Sequence, residues 1–202
     1  MPDFSLEHAI WNAGAARIAG IDEAGRGPWA GPVVAAAVVL SADAALPGLD
    51  DSKKMTAAAR ERLFEAIQTS AEVGVGQACV AEIDQMNILA ATLLAMRRAL
   101  DALAQPVDAA LVDGNRLPDL PCPAQAVVKG DGRSLSIAAA SVIAKVTRDR
   151  IMADLAQDFP AYGWERNAGY GTKAHQDALA RVGITPHHRK SFKPIAKILS
   201  PG

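Results

Sequence analysis

The sequence lacks an apolar segment long enough to cross a membrane. Its longest apolar run, residues 33–40, has eight residues, whereas a transmembrane helix needs about 20. The N-terminus also lacks the basic stretch and apolar segment of a signal peptide. We therefore expect a cytoplasmic protein with no membrane partner.

Cysteine is scarce, and its spacing argues against a structural metal site. Cys79 and Cys122 lie far apart in the sequence, and neither belongs to a Cys-x-x-Cys pair. Zinc sites and disulfide frameworks need closely spaced or more numerous cysteines. We expect two reduced, buried thiols.

The chain also lacks an overall excess of positive charge, since its formal net charge is −1. The charge is unevenly distributed, however. Residues 129–202 hold 12 of the 21 Lys and Arg but only 6 of the 22 Asp and Glu, so this part carries +6 and the rest −7. The C-terminal third is therefore a candidate phosphate-facing side. An ordinary solvated basic face is the equally simple alternative.

The hydrophobic pattern predicts an α/β fold in which helices flank a mixed β-sheet. Strands are predicted over 18–22, 33–40, 73–80, 109–112 and 124–128. Helices are predicted over 56–69, 86–103, 134–158 and 172–182. A length of 202 residues fits a single domain. We expect an α/β core over about 1–158 and a helical extension over about 159–202. Because no linker separates them, we treat both parts as one domain.

One predicted helix has a regular apolar face. Its apolar residues recur at spacings of three and four, which places them on one side. They are Met86, Leu89, Leu93, Met96, Leu100 and Leu103. The later helix over 134–158 carries small side chains at residues 138–141, which would let it approach a sheet closely.

Acidic residues follow three of the predicted strands. Asp22 and Glu23 end the first strand, Asp113 the fourth and Asp131 the fifth. If these strand ends are neighbours, the carboxylates converge where α/β sheets form their ligand sites. Hard oxygen ligands suit Mg²⁺ or Mn²⁺, and two such ions can promote displacement at phosphorus. For any single acid, a turn residue or a helix cap is the simpler interpretation.

A glycine-rich turn, residues 24–32, follows Glu23. It is not a dinucleotide-binding fingerprint, because Ala30 stands at the last glycine position and Pro28 and Pro32 oppose the required helix. A P-loop is absent as well. Glycines instead let main-chain groups approach a ligand, and such groups can hydrogen-bond the 2′-hydroxyl that distinguishes RNA from DNA.

Several motifs, in order, resemble those of type 2 ribonuclease H, bacterial ribonuclease HII. The resemblance covers about residues 18–194. The matching segments are Asp22-Glu-Ala-Gly-Arg-Gly-Pro-Trp-Ala-Gly-Pro-Val33, Asp51-Ser-Lys-Lys54, Ile83-Asp-Gln-Met-Asn-Ile88, Val112-Asp-Gly-Asn115, Lys129-Gly-Asp131, Ile137-Ala-Ala-Ala-Ser-Val-Ile-Ala-Lys-Val146 with Arg148-Asp149, Gly169-Tyr-Gly-Thr172 and His188-Arg-Lys-Ser-Phe192.

The resemblance implies a ribonuclease H-like fold with a C-terminal helical extension. It implies an endonuclease that hydrolyses RNA in RNA/DNA hybrids and cuts 5′ to single ribonucleotides in duplex DNA. The products would carry a 3′-hydroxyl and a 5′-phosphate. Two ions, Mn²⁺ or Mg²⁺, would serve the reaction, and a monomer acting in ribonucleotide excision repair is expected.

The resemblance also assigns roles to individual residues. The metal-binding catalytic acids would be Asp22, Glu23, Asp113 and Asp131. The substrate-binding residues would be Gly25, Arg26 and Gly27 at the 2′-hydroxyl, Tyr170 on the sugar, and Lys53, Arg189 and Ser191 at phosphates. Two positions depart from the common pattern: Ala168 replaces a frequent Lys, which could remove a phosphate contact, and Trp29 replaces a frequent Leu, which should affect packing.

Two other functions remain open at this level. A nucleic-acid-binding module without activity would explain the basic C-terminal third but not the acids at strand ends, which repel phosphate unless metal is bound. A DNA nuclease or recombinase on the same sheet would share the acids. The glycine turn and Tyr170 argue against that second alternative, although Tyr170 could simply be a turn residue.

Overall fold

The predicted strands form one mixed sheet in the computed structural model, which describes residues 1–50, 52 and 55–200. They are β1 (Ile18–Ala24), β2 (Val33–Val39), β3 (Glu72–Ala78), β4 (Ala109–Asp113) and β5 (Ala124–Val127). The strand order is β3-β2-β1-β4-β5. β2 runs antiparallel to β1 and β3, whereas β1, β4 and β5 are parallel. The mixed α/β sheet is thereby confirmed.

Helices cover the sheet and the C-terminal part. They are α1 (Ser5–Asn12), α2 (Ala57–Ser70), α3 (Val80–Met86), α4 (Ile88–Asp101), α5 (Leu135–Asp158), α6 (Trp164–Asn167), α7 (Lys173–Val182) and α8 (Lys193–Leu199). Thr56, Ser134 and Thr172 cap α2, α5 and α7 by accepting a main-chain N–H. Such side chains satisfy donors that a helix start leaves open. The predicted starts of these helices are confirmed.

Helix α5 packs on one face of the sheet, against β1 and β2. Its Ala138, Ala139 and Ala140 are completely buried. On the strand side, a Cβ added to Gly20 would lie 2.1 Å from the carbonyl carbon of Ser136. The helix therefore approaches the sheet through small residues, as predicted.

Helix α4 packs on the opposite face, against β2 and β3, and its predicted apolar side is confirmed in part, since Met96 and Leu100 are buried in the core there. Leu89 is 39% exposed, whereas Ala95 and Ala99 are fully buried. Cβ atoms added to Gly74 and Gly76 of β3 would lie 2.2 and 2.3 Å from carbonyl oxygens of α4. Close contact with these glycines adds the alanines to the buried side of the helix and leaves Leu89 outside it.

The helix predicted over 86–103 is α4, which begins at Ile88, and a separate helix that was not predicted, α3, precedes it. Asn87 divides them with a left-handed φ of 73°. Its side chain accepts hydrogen bonds from the N–H groups of Leu89 and Ala90. Asparagine tolerates this backbone region better than most residues, so it ends one helix and caps the next.

The elements after Asp158 form their own apolar cluster around the fully buried Trp164. Met152 of α5, Leu179 of α7 and Ile195 of α8 belong to it, as does Ala30 of the glycine turn. The C-terminal helices are thus packed directly against the turn that follows Glu23.

The two cysteines form no disulfide with each other. Cys79 and Cys122 are free thiols, but Cys79 is exposed rather than buried, because it stands at the start of α3 where the chain leaves the sheet. Among the described residues, no helix is both long and apolar enough to cross a membrane.

Candidate active site

Three carboxylates meet where β1 and β4 end. Asp22 and Glu23 lie near the end of β1, and Asp113 is the last residue of the neighbouring parallel strand β4. One oxygen of each side chain lies within 4.8 Å of the others. The parallel pairing of these two strands brings together residues 90 positions apart.

The charged form of the Asp22 carboxyl is disfavoured by burial and by its neighbours. Asp22 is only 3% exposed. Burial, then the charges of Glu23 and Asp113, raise the pKa of Asp22 well above its usual range. Its Oδ1 accepts the N–H of Glu23 at 2.7 Å, whereas its buried Oδ2 accepts no hydrogen bond from the described residues.

These observations fit a divalent cation. Mg²⁺ and Mn²⁺ bind hard oxygen ligands such as carboxylates. Their positive charge would offset the repulsion within the cluster, and the Asp22 oxygen without a hydrogen-bond donor could act as a ligand. Asp22, Glu23 and Asp113 would hold the ion. Among the described residues, this group contains no His or Cys.

Asp131 lies outside this group of three carboxylates. It is 7% exposed and sits in a short 3₁₀ turn, Gly130–Gly132, that follows β5. The same turn reaches the site through its backbone, because the N–H of Gly130 donates to Asp113 Oδ1 at 2.6 Å. The end of β5 therefore orients Asp113.

The glycine loop, defined here as residues 25–27, borders the carboxylates. Gly25 has a φ of +98°, and a Cβ there would lie 2.0 Å from Nε of Arg148. Glycine is needed on both counts. Arg26 is exposed, and its guanidinium lies 3.4 Å from Glu23 Oε1.

Tyr170 stands beside the same loop. A Cβ added to Gly27 would lie 3.3 Å from the Tyr170 ring, which is consistent with close contact. Tyr170 is 48% exposed. An aromatic ring left in solvent next to a carboxylate cluster is available for a ligand.

A cleft of about 420 Å³ joins these features. Glu23, the glycine loop and Tyr170 line it. Residues that the sequence interpretation did not assign complete the lining: Ala24, Ser52, Arg60, Ser141, Lys145 and Arg148. Most of these residues lie within the motifs that carry the family resemblance. The motifs therefore identified the correct segments of the chain but assigned no role to these residues.

Arg189 requires a correction. A phosphate contact was expected, but the residue is fully buried. Its guanidinium donates to the carbonyls of Gly25 at 2.6 Å, Arg26 at 3.1 Å, Gly31 at 2.9 Å and Pro32 at 3.1 Å. With its donors engaged by main-chain oxygens, Arg189 fixes the glycine loop instead of meeting solvent-side phosphate.

Arg148 supports the same turn from α5. It is 1% exposed and donates to the carbonyls of Ala30, Pro32 and Ala168. Burial lowers the pKa of Arg148 to about 10. Burial and the charge of Arg148 lower the pKa of Arg189 to about 9. Both remain cationic near neutral pH, directly behind the loop.

The two remaining predicted phosphate contacts have different outcomes. Ser191 is exposed, and its Oγ donates to Asp84 Oδ1 at 2.7 Å. Lys53 lies outside the described residues.

The family comparison settles the class of protein. The sequence model of the family described as Ribonuclease HII matches residues 19–195. The chain belongs to this family. As a ribonuclease HII it is an endonuclease that acts on RNA/DNA hybrids, which excludes the non-catalytic binding module. The family is metal-dependent, in agreement with the carboxylate group.

Individual relatives agree with this family. The chain is 64% identical to ribonuclease HII of Rhodospirillum rubrum, over 99% of this chain and 93% of that one. It is 60% identical to ribonuclease HII of Ruegeria pomeroyi, over 98% and 85%.

Solved structures share the fold. Ribonuclease H2 from Pyrococcus horikoshii has a TM-score of 0.75 at 28% identity, covering 91% of this chain and 97% of that one. Bst-RNase HIII in complex with Mn²⁺ also has a TM-score of 0.75, at 21% identity, over 95% and 71% of the chains. The ribonuclease H-like fold is therefore confirmed.

Proposed function

We propose that this ribonuclease HII cuts on the 5′ side of a single ribonucleotide embedded in duplex DNA, as well as in RNA/DNA hybrids. The cut leaves a 3′-hydroxyl and a 5′-phosphate. The observation that carries the proposal is the position of the glycine loop, which begins two residues after the carboxylate Glu23 and shares its cleft. A ribose held by the loop would place its own phosphodiester beside the acids.

Asp22, Glu23 and Asp113 would hold Mg²⁺ or Mn²⁺, with Asp131 as a further acid. When bound, two such ions would polarise the phosphodiester and stabilise the attacking and leaving oxygens. The chain itself keeps the three carboxylates converged. The Gly130 N–H fixes Asp113 Oδ1, and the Glu23 N–H fixes Asp22 Oδ1.

The glycine loop and Tyr170 would select the substrate. Residues 25–27 line the cleft, and their main-chain groups would hydrogen-bond a 2′-hydroxyl. The exposed Tyr170 ring would stack on the sugar at the RNA–DNA junction. Ser191 and Lys53 would contact phosphates farther along the duplex, and residues 159–202 would form the substrate-binding extension. We place this monomeric enzyme in the cytoplasm, in ribonucleotide excision repair.

A mapped cleavage assay tests the proposal. A duplex with one internal ribonucleotide, labelled at the 5′ end of the ribonucleotide-bearing strand, is incubated with Mn²⁺ or Mg²⁺ and the product is sized. The expected product ends in the deoxynucleotide that precedes the ribonucleotide and carries a 3′-hydroxyl.

An all-DNA duplex of the same sequence and a continuous RNA/DNA hybrid are the substrate controls. Asp113→Asn is the protein control, and it should abolish cleavage while preserving the fold. Cleavage of the hybrid without cleavage at the single ribonucleotide would refute the proposed specificity, as would equal cleavage of the all-DNA duplex.

A further inference from the structure

Two imidazoles lie buried behind Tyr170, outside the metal-binding acids. His175 and His188 are both fully buried, and their Nε2 atoms are 3.0 Å apart. Two ring nitrogens can share a hydrogen bond only when one carries a proton and the other does not. The contact therefore demands a defined proton arrangement.

The neighbours fix that arrangement. The backbone N–H of Thr185 donates to His188 Nδ1 at 2.9 Å, so this nitrogen is an acceptor. A neutral His188 then carries its proton on Nε2 and donates it to Nε2 of His175. His175 must carry its own proton on Nδ1.

The last link of the chain agrees with this assignment. His175 Nδ1 lies 2.9 Å from the carbonyl oxygen of Tyr170, which can only accept. The indole N–H of Trp164 also points at His175 Nε2, at 3.4 Å, as it should toward an acceptor. The three ring-nitrogen hydrogen bonds that lead from the Thr185 N–H to the Tyr170 carbonyl thus run in one direction.

The surroundings favour the neutral rings that this relay needs. Trp29, Tyr162 and Trp164 pack against the pair. Burial, then the charges of His175 and His187, lower the pKa of His188 to about 4. Burial lowers the pKa of His175 as well.

The relay ends at the segment that presents Tyr170 to the cleft. The Tyr170 N–H donates to the carbonyl of Asn167, and the Gly169 carbonyl accepts from Trp29. A Cβ on Gly171 would lie 2.2 Å from the Trp29 ring, so the other side of the segment is also closely packed. The Tyr170 carbonyl itself accepts from the Thr172 N–H at 2.8 Å and from His175 Nδ1 at 2.9 Å, and His175 is the side chain among these two donors.

We propose that His175 and His188 are positioning residues for Tyr170. Their one-way hydrogen-bond relay fixes the backbone from which the Tyr170 ring meets the substrate. The proposal rests on the proposed substrate contact of Tyr170. It does not depend on the site of cleavage or on the number of metal ions.

Nitrogen-15 NMR of histidine-labelled protein, at neutral pH and without metal, tests the relay directly. The expected spectrum shows neutral His188 with its proton on Nε2 and neutral His175 with its proton on Nδ1. The opposite tautomer at either ring, or a doubly protonated ring, would overturn the proposal. Because this measurement uses the wild-type protein, it tests the relay even if a substituted variant fails to fold.

Matched substitutions test the link to the substrate. His175→Phe fills the space but donates nothing to Tyr170, whereas His175→Asn keeps a donor near the Nδ1 position. For the single-ribonucleotide duplex we expect His175→Phe to raise KM about tenfold, the equivalent of one hydrogen bond, with a smaller change in kcat. His175→Asn should recover most of that loss.

A double variant that combines His175→Phe with Tyr170→Ala measures whether the histidine acts through the tyrosine. If the histidine acts through the tyrosine, it should cost less than about threefold in the Tyr170→Ala background. An unreduced tenfold cost there would refute positioning while leaving the Tyr170 contact intact. If Tyr170→Ala alone changes nothing, the proposed role of Tyr170 fails, and the positioning role fails with it.

Discussion

Replacing Asp22 by asparagine should make the metal-free protein more stable while it destroys the metal site. The wild-type carboxylate is buried beside two others, and its Oδ2 lacks a donor. Asparagine keeps the oxygen that accepts the Glu23 N–H. It also offers an N–H₂ to the neighbouring carboxylates in place of a like charge.

The geometry gives the scale of the effect. The carboxylate oxygens lie within 4.8 Å of one another, and at that limit two unit charges repel by about 0.9 kcal/mol in water and about 3.5 kcal/mol at an effective dielectric constant of about 20. Asp22 takes part in two such pairs. Because the wild-type carboxyl can relieve the repulsion by holding a proton, we expect a net gain in the free energy of unfolding of about 1–3 kcal/mol for Asp22→Asn.

The pH dependence has a definite sign. A carboxyl with a raised pKa in the folded state destabilises the fold as pH rises from its unfolded value, 3.8, toward its folded value. The advantage of Asp22→Asn should therefore grow with pH over that window and then stay constant. Divalent metal should reverse the order, since about 2.7 kcal/mol is added at 100 times Kd only to a protein that binds the ion.

Urea unfolding in EDTA and in Mn²⁺ measures both effects. Asp119→Asn, at an exposed loop position, is the matched control and should change neither quantity. A loss of stability in Asp22→Asn without metal, or equal stabilisation of variant and wild type by Mn²⁺, would show that Asp22 is neither repelled by its neighbours nor a metal ligand.

Three further outcomes follow from packing and burial. Gly20→Ala should cost about 1–3 kcal/mol in urea unfolding, because its Cβ would meet α5 backbone at 2.1 Å; an unchanged midpoint would contradict this close approach. Arg189→Lys keeps the charge but cannot reach four carbonyls, so we expect cleavage of the single-ribonucleotide duplex to fall at least about tenfold, and wild-type kinetics would argue against a fixed loop. The depressed pKa of His188, about 4 against 6.5 unfolded, contributes stability that is complete above pH 6.5 and declines by up to about 3 kcal/mol as pH falls to 4. Unfolding curves of His188→Gln that parallel the wild type across this range would contradict that contribution.

Much of the fold was predictable because its signals are local. The Val- and Ala-rich strands and the capping residues Thr56, Ser134 and Thr172 act within a few positions of the chain. The convergence of Asp22, Glu23 and Asp113 was predicted on the condition that their strands are neighbours, and the parallel pairing of β1 with β4 meets that condition.

The features that sequence patterns misjudged depend on distant contacts. Apolar spacing identified the buried Met96 and Leu100 of α4 but missed Ala95 and Ala99, whose carbonyls lie against Gly74 and Gly76 of β3. The resemblance assigned Arg189 to a phosphate, and the charge count included Arg148 in the phosphate-facing third, whereas both are buried among carbonyl oxygens. No local pattern distinguishes an arginine that meets phosphate from one that meets main chain.

Two of the four carbonyls held by Arg189 belong to the glycine loop, and this has a consequence for how the loop could recognise RNA. A trans peptide directs its C=O and N–H to opposite sides, and the structure contains no cis peptide among its described residues. Because the carbonyls of Gly25 and Arg26 face the guanidinium, the N–H groups of Arg26 and Gly27 face the other way. On the side of the loop that faces away from Arg189, these two peptide groups present N–H donors and no carbonyl acceptor. The loop would then recognise the ribose by the lone pairs of its 2′-oxygen, so a 2′-methoxy sugar would be rejected for its bulk and not for a lost proton.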